Sequence, residues 1–301
     1  MNADHDLEAG DALGEQAEII LRGVRVRWSS HGAADGPAVL FLHGLGRGLA
    51  QWAPIVDRLG RERRTLAIEV TSGGGHELAT PERTPRSLED LAEVVLDFIA
   101  SLSLGRVALV GQSIGAAAAL IAAADRPEFV ERLVLIAPPL RRRPPTFAER
   151  VVATRLPTGQ WLRRALASRA IAGHGGRLEQ PLREHEIALL RALIAPATTR
   201  ALEARLPRVR CPAMLVLGRA DELHPASHGP RLARELCGAR LEVVESGPAP
   251  DLDLPDTLAA LVDDFLADEA TGPDEARPRS AAPRAGIATP WSAGRDGSGR
   301  P

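Results

Sequence analysis

Three short segments carry residue types at spacings that can do chemistry. Gly111-Gln112-Ser113-Ile114-Gly115 sets a serine between an apolar run, RVALV, and an alanine-rich run, IGAAAALIAAA. A serine on a sharp strand-to-helix turn projects its hydroxyl clear of the backbone, and so tight a turn needs small neighbours. In a chain with 28 glycines the pattern G-x-S-x-G means little alone; its place between a strand and a helix gives it weight. The helix N-terminus also favours negative charge that develops beside it. A second segment, His43-Gly44-Leu45-Gly46, follows the run AVLFL. Its glycines let backbone N–H groups face a pocket, so the Leu45 N–H paired with that of Ile114 would form an oxyanion hole; the bland alternative is a turn that merely ends a strand. His43 itself reads as a structural turn residue rather than a base. The third segment, Gly218-Arg219-Ala220-Asp221, follows MLVLG. A loop aspartate is ordinarily a turn former or a helix cap, but one that follows Ser113 at the end of a strand stands where a triad carboxylate belongs.

These residues need a frame that brings strand ends together. Residues 17–28 read as two antiparallel strands joined near Gly23. Short continuous apolar runs at 38–42, 65–70, 107–110, 133–136, 213–217 and 241–244 read as strands buried on both faces. Segments of helical period alternate with them, which predicts a mainly parallel sheet covered by helices. Ser87 with Asp90 forms a capping box, after which Leu88, Leu91, Val95, Phe98 and Leu102 repeat at helical spacing until Gly105. The alternation breaks from Leu140 to about Arg210, where helical patterns at 147–156, 160–170 and 182–194 occur without a convincing strand. This interval predicts a helical insertion, a lid over the carboxyl edge of the sheet.

Taken together the segments resemble the α/β-hydrolase superfamily, in its serine-nucleophile branch with a helical cap, over about residues 17–266. The resemblance implies an α/β fold with a mostly parallel eight-stranded sheet flanked by helices and a helical cap inserted after the sixth strand. Its domain plan is a core of 17–139 and 211–268 with a cap of 140–210. It implies acyl chemistry on a small-molecule substrate or ligand held between cap and sheet, with Ser113 as nucleophile, Leu45 and Ile114 as oxyanion donors and Asp221 as the acid. No cofactor and no metal site is expected. Dehalogenases and epoxide hydrolases of the superfamily carry an aspartate at the elbow, so Ser113 disfavours them, and a chain without tyrosine lacks the cap tyrosines of epoxide opening. Ester, thioester, lactone or carbon–carbon bond hydrolysis is left.

One position departs from that family. Its histidine follows the last strand, in a pattern like G-H-x-x-x-x-E-x-P; here the stretch reads Gly247-Pro248-Ala249-Pro250-Asp251-Leu252-Asp253-Leu254-Pro255, with proline in the histidine's place. No histidine occurs after His228. A serine hydroxyl is a weak nucleophile without a base: in a serine protease, loss of the histidine alone costs on the order of 10⁶ in kcat. Of the eight histidines, His5 lies in a tail and His31 at the wrong end of the sheet. His76, in a glycine-rich loop after the fourth strand, His224, three residues beyond the acid, and His174, in the cap, are the candidate substitute bases. His224 needs an unusual loop to reach Ser113, and His228 and His185 are weaker candidates. Three functions stay open: a serine hydrolase with a rewired triad, a ligand-binding protein that has lost turnover, and a cyclase or lyase that uses the pocket without a covalent serine step.

Composition narrows the field further. All 37 basic residues are arginine, which excludes a P-loop lysine and a Schiff base. Two cysteines cannot build a four-thiolate metal site or a secreted disulfide scaffold, so the expected setting is reducing and cytoplasmic. A net charge of -2 with interspersed signs predicts no nucleic-acid partner, and Arg141, Arg142 and Arg143 read as a solvated loop. No secretory signal or membrane span is expected. Residues 1–16 read as a disordered acidic tail and 269–301 as a disordered Pro/Gly/Arg-rich tail. Oligomeric state is not legible.

Overall fold

The computed structural model describes residues 14–70, 84–140 and 184–268. It opens with a hairpin of β1 (Glu15–Leu21) and β2 (Val24–Gly32). Arg22 and Gly23 both adopt positive φ at its tip, the conformation that lets a two-residue turn follow the twist of its strands. Glu15 and Gln16 pair with Ser30 and Ser29, so the ladder reaches into the last two residues of the expected acidic tail. Glu15 and Gln16 are thus strand rather than tail, because backbone pairing with β2 overrides the polar composition there.

The chain continues through β3 (Ala38–Leu42), α1 (Ala53–Leu59), β4 (Arg64–Glu69), α2 (Leu88–Ser101), β5 (Val107–Gln112), α3 (Ile114–Asp125) and β6 (Val130–Ile136). The described part of the insertion after β6 holds α4 (Glu184–Ile194) and α5 (Pro196–Glu203). β7 (Ala213–Gly218), α6 (Gly229–Glu235), β8 (Arg240–Val244), α7 (Pro250–Asp253) and α8 (Pro255–Ala267) complete the order. The eight strands form one sheet, β1-β2-β4-β3-β5-β6-β7-β8, antiparallel at β1–β2 and β2–β4 and parallel elsewhere. The helical patterns at 147–156 and 160–170, His76, His174, the arginine run, residues 1–13 of the expected tail 1–16 and the whole of the expected tail 269–301 lie outside the described residues.

Strand order decides where a site can form. The chain leaves β3 toward β4 on one side, returns to β5 on the other and proceeds outward to β6. Loops leaving neighbouring strands at such a reversal diverge and open a crevice at the carboxyl ends. The loop after β3 carries His43 to Gly46, and the turn after β5 carries Ser113.

The central strands β3, β5 and β7 are buried on both faces. Leu40, Leu42, Leu109, Leu133, Leu135 and Leu215 face the layer of α2 and α3. The alternate residues Phe41, Val110, Val134, Met214 and Val216 face Trp52, Ile55, Val262 and Phe265 of the opposite layer. Truncating any such leucine to alanine costs about 2–5 kcal/mol. In α3 every residue from Ile114 to Ala124 is buried, as an apolar helix without a polar face requires. Its small side chains allow it close to the sheet. α2 starts as its capping pattern predicts: Ser87 Oγ accepts from the Asp90 N–H at 3.0 Å. The Asp90 carboxylate accepts from the Arg86 N–H at 3.2 Å.

Residues 241–244 read in sequence as a strand buried on both faces, and here the structure differs. Every residue of β8 is half-buried, because β8 is the sheet edge and only β7 covers one side of it. Apolar composition alone does not separate an edge strand from a central one.

Candidate active site

Ser113 sits between the last residue of β5 and the first of α3 with φ 51° and ψ −111°. This region is strongly disfavoured for a residue with a Cβ and costs about 1–3 kcal/mol. Packing holds it there. A Cβ on Gly111 would lie 2.4 Å from the Gly115 carbonyl oxygen, and one on Gly115 would lie 2.2 Å from that of Leu42. Both glycines of the motif are therefore required by backbone approach. The Ser113 N–H donates to the Ile136 carbonyl at 2.9 Å and its own carbonyl accepts from the Ala117 N–H at 3.1 Å, so the backbone is anchored on both sides. The hydroxyl makes no capping bond to α3. Ile114, as the first residue of α3, has one of the N–H groups that a helix leaves without an internal partner.

The loop after β3 packs against this elbow. Gly44 donates its N–H to Gln51 Oε1 at 3.2 Å, Arg47 donates its N–H to the Gly44 carbonyl at 3.3 Å, and Gly46 turns the chain at φ 70°. Leu45 is buried within that turn. A Cβ on Gly44 would strike Gln112 Oε1 at 1.9 Å, so the two loops are in contact. The Arg47 side chain, itself buried, pairs with buried Asp251 of α7 at 3.5 Å. His43 is buried as well; its Nδ1–H donates to the Gly44 carbonyl at 2.7 Å. Burial lowers its pKa to about 4, against the Gly44 bond, which favours the charged form, and with the help of nearby Arg47. His43 is thus a neutral packing element, as the sequence reading has it.

Asp221 lies in the loop after β7 and is 3% exposed. Its Oδ1 accepts from the N–H groups of Leu223 at 2.8 Å and His224 at 3.0 Å. Its Oδ2 is 3.2 Å from His224 Nδ1. Burial pushes this carboxyl upward, but the His224 side chain and the two N–H groups outweigh it and hold the pKa below the usual range. The imidazole of His224 is 6% exposed, and its Nε2 has no hydrogen-bond partner among the described residues.

The loop after β8 closes the arrangement. The Ala220 N–H donates to the Ser246 carbonyl at 2.9 Å, and a Cβ on Gly218 would lie 2.0 Å from the Gly247 carbonyl oxygen. Gln112 Nε2 donates to the Pro248 carbonyl at 3.1 Å. Pro248 therefore touches the residue before Ser113, while its neighbours touch the acid loop. Gly247 donates its N–H to Asp253 at 3.2 Å.

The structure thus gathers the elbow of Ser113 and Ile114, the Leu45 turn, the Asp221 loop and the Pro248 loop at one edge. His31 pairs with Thr65, at the start of β4, on the opposite edge. His185 belongs to α4, and His228 precedes α6. Two features escape the sequence reading: the Arg47–Asp251 pair and the bond from Gln112 to Pro248. Neither has a local signature, since their partners are 204 and 136 residues apart. The Asp221–His224 contact had one, because aspartate side chains commonly bond N–H groups two and three residues onward. Among the described residues no cluster of three metal-ligating side chains occurs, and no helix is long and apolar enough to cross a membrane.

The parallel sheet, its hairpin extension, the insertion after β6 and the elbow at the end of β5 define the α/β-hydrolase fold. A family model described as the alpha/beta hydrolase fold matches residues 37–185. The mouse serine hydrolase BPHL is 28% identical over 256 residues, covering 83% of this chain and 86% of that protein. The 2-hydroxymuconate semialdehyde hydrolase of Pseudomonas sp. strain CF600 is 28% identical, covering 83% of this chain and 93% of that protein. Among solved structures, a hydrolase from Pseudomonas aeruginosa PA01 superposes with a TM-score of 0.68 at 22% identity, over 84% of this chain and 99% of the other. The enol-lactonase from Burkholderia xenovorans LB400 superposes with a TM-score of 0.66 at 23% identity, over 83% and 99%.

Proposed function

We propose that the chain is a serine hydrolase acting on a small hydrophobic ester, thioester or lactone. The observation that carries this reading is Ser113, held at φ 51° on the strand-to-helix turn with its hydroxyl unspent on capping. Strain of that kind persists only where surrounding packing enforces it, and a strained, projecting serine is the form a nucleophile takes. Ser113 Oγ adds to the substrate carbonyl carbon while a base takes its proton. The carbonyl oxygen becomes an oxyanion beside the N–H groups of Leu45 and Ile114, where such donors lower the barrier by about 3 kcal/mol each. The leaving alcohol or thiol departs with the proton, and water then releases the acyl group from Ser113. Asp221 orients and charge-balances the base. The hydrolase relatives and the enol-lactonase likeness agree with acyl chemistry of this sort.

The proline at position 248 favours a second reading, a ligand-binding protein that keeps the pocket without turnover. A fluorophosphonate probe separates the two: stoichiometric labelling at Ser113, abolished by Ser113→Ala, supports the hydrolase. An unlabelled, folded protein that gains thermal stability from an ester without product formation supports the binding protein. Turnover that survives Ser113→Ala points instead to a non-hydrolytic cyclase or lyase.

A further inference from the structure

We propose that His224 is the general base of this site, so that acid and base occupy a single loop and the missing histidine at position 248 is replaced from the strand beside it. The inference rests on the serine-hydrolase reading and names the group which that reading leaves open.

The first support is the pairing. A neutral imidazole that donates Nδ1–H to a carboxylate is left with its lone pair on Nε2, the tautomer a general base requires. His224 Nδ1 lies 3.2 Å from Asp221 Oδ2, the contact that this tautomer makes. The second is the fate of Nε2. A buried acceptor without a partner costs about 1–3 kcal/mol and calls for an explanation. His224 Nε2 is buried and makes no hydrogen bond among the described residues, Ser113 Oγ included, so it is free to accept a proton once the reaction brings the hydroxyl within reach. The third is place. The acid loop is bonded to the loop after β8 through Ala220 and Ser246, and that loop is bonded to the elbow through Pro248 and Gln112. His224 therefore belongs to the cluster of loops that contains the nucleophile. His43, on the loop after β3, donates to the Gly44 carbonyl, and burial lowers its pKa to about 4, which makes it a weak base.

The cycle balances without any further reactant. His224 Nε2 takes the proton of Ser113 Oγ as the Oγ–C bond forms and the carbonyl π pair moves onto oxygen. When the pair returns and the bond to the leaving oxygen or sulfur breaks, the imidazolium hands over that proton. Water then attacks the acyl-serine while His224 takes one of its protons, which passes to Ser113 as the carboxylic acid leaves. The spent dyad and hydroxyl are restored.

The loop also explains why proline is tolerated at position 248. Three donors from its own loop occupy Asp221: two N–H groups on Oδ1 and the imidazole on Oδ2. A histidine at position 248 would have to compete with His224 for Oδ2.

The test uses the full chain and a fluorophosphonate probe, with p-nitrophenyl butyrate as reporter ester. His224→Gln should slow labelling of Ser113 at least 100-fold, the lower end of what general-base catalysis contributes, with the fold retained by circular dichroism. In His224→Val combined with Pro248→His, an imidazole supplied from the other loop should recover at least tenfold over His224→Val alone. Nitrogen-15 histidine spectra of the wild type need no folded variant: phosphonylation of Ser113 should protonate the Nε2 of one carboxylate-bonded histidine. The role of His224 is overturned if His224→Gln labels within threefold of wild type, if His76→Gln or His174→Gln carries the loss instead, or if phosphonylation leaves that resonance unmoved. A wild type that neither labels nor turns over refutes the underlying hydrolase reading, whereas normal wild-type labelling with an indifferent His224→Gln refutes only this assignment.

Discussion

Acidifying the protein from pH 7 to pH 4 should weaken the fold through His43, and the structure sets the size of the effect. The imidazole is buried at the end of β3, beside a cavity of about 10 Å³ lined mainly by Leu42, Ile68, Val70, Leu91 and Val95. That space holds at most one water molecule, so an imidazolium there would lack solvation. Burial, reinforced by Arg47 and opposed by the Gly44 carbonyl, lowers the pKa to about 4; in the unfolded chain the same group titrates near 6.5. Between those values the unfolded state binds a proton that the folded state refuses, and unfolding free energy falls as pH falls. At 1.36 kcal/mol for each tenfold change in protonation equilibrium, the loss is about 3 kcal/mol by pH 4. It starts near pH 6.5 and saturates below pH 4. Asp221 acts in a lower window: its depressed carboxyl contributes stability that is complete above the ordinary aspartate pKa and is lost as pH falls through the folded value. Urea denaturation at pH 7, 5.5 and 4.5, on wild type and on His43→Gln, isolates the histidine. The variant should lose close to one proton's worth of slope between pH 6.5 and 4.5. Identical slopes in the two proteins would refute the claim that His43 is buried neutral.

Three further outcomes follow from the elbow and its surroundings. Ser113→Gly should abolish fluorophosphonate labelling and raise stability by about 1 kcal/mol, because glycine accepts φ 51° without strain; an unchanged or lower melting temperature would contradict the strained turn. Gly115→Ala should cost about 3 kcal/mol, since its methyl meets the Leu42 carbonyl at 2.2 Å and backbone cannot rotate away; calorimetry showing a loss below 1 kcal/mol would contradict that close approach. Pro248→His alone should leave ester turnover within about threefold of wild type, because Asp221 already holds His224. Steady-state rates that rise by more than tenfold would mean that His224 surrenders the carboxylate freely.

Much of this architecture is written in local sequence. The strands at 38–42 and 213–217 are continuous apolar runs that match β3 and β7 to within a residue. The Ser87 cap and the turn at Arg22 and Gly23 each depend on side chains or backbone within three residues. The elbow was legible for the same reason, since glycine, serine and glycine answer a purely local steric demand. What local reading could not supply is depth and partnership. β8 looks as apolar as a central strand, and only the order of strands reveals it as an edge. Arg47 and Asp251 find each other across 204 residues, which no short pattern encodes. Three residues of separation do not by themselves say how an aspartate and a histidine meet. The separation permits a turn in which the aspartate bonds the histidine by backbone and side chain together.

Keeping carboxylate and imidazole three residues apart has a mechanical consequence for the sheet around them. When such partners are carried by different strands, their alignment is hostage to the docking of those strands, and a fraying edge disengages them. Here the edge strand is β8, half-buried along its whole length, while the pair is closed within one turn fastened to β7. The contacts that join the two side chains all lie within that one turn, so none of them depends on which residues follow β8.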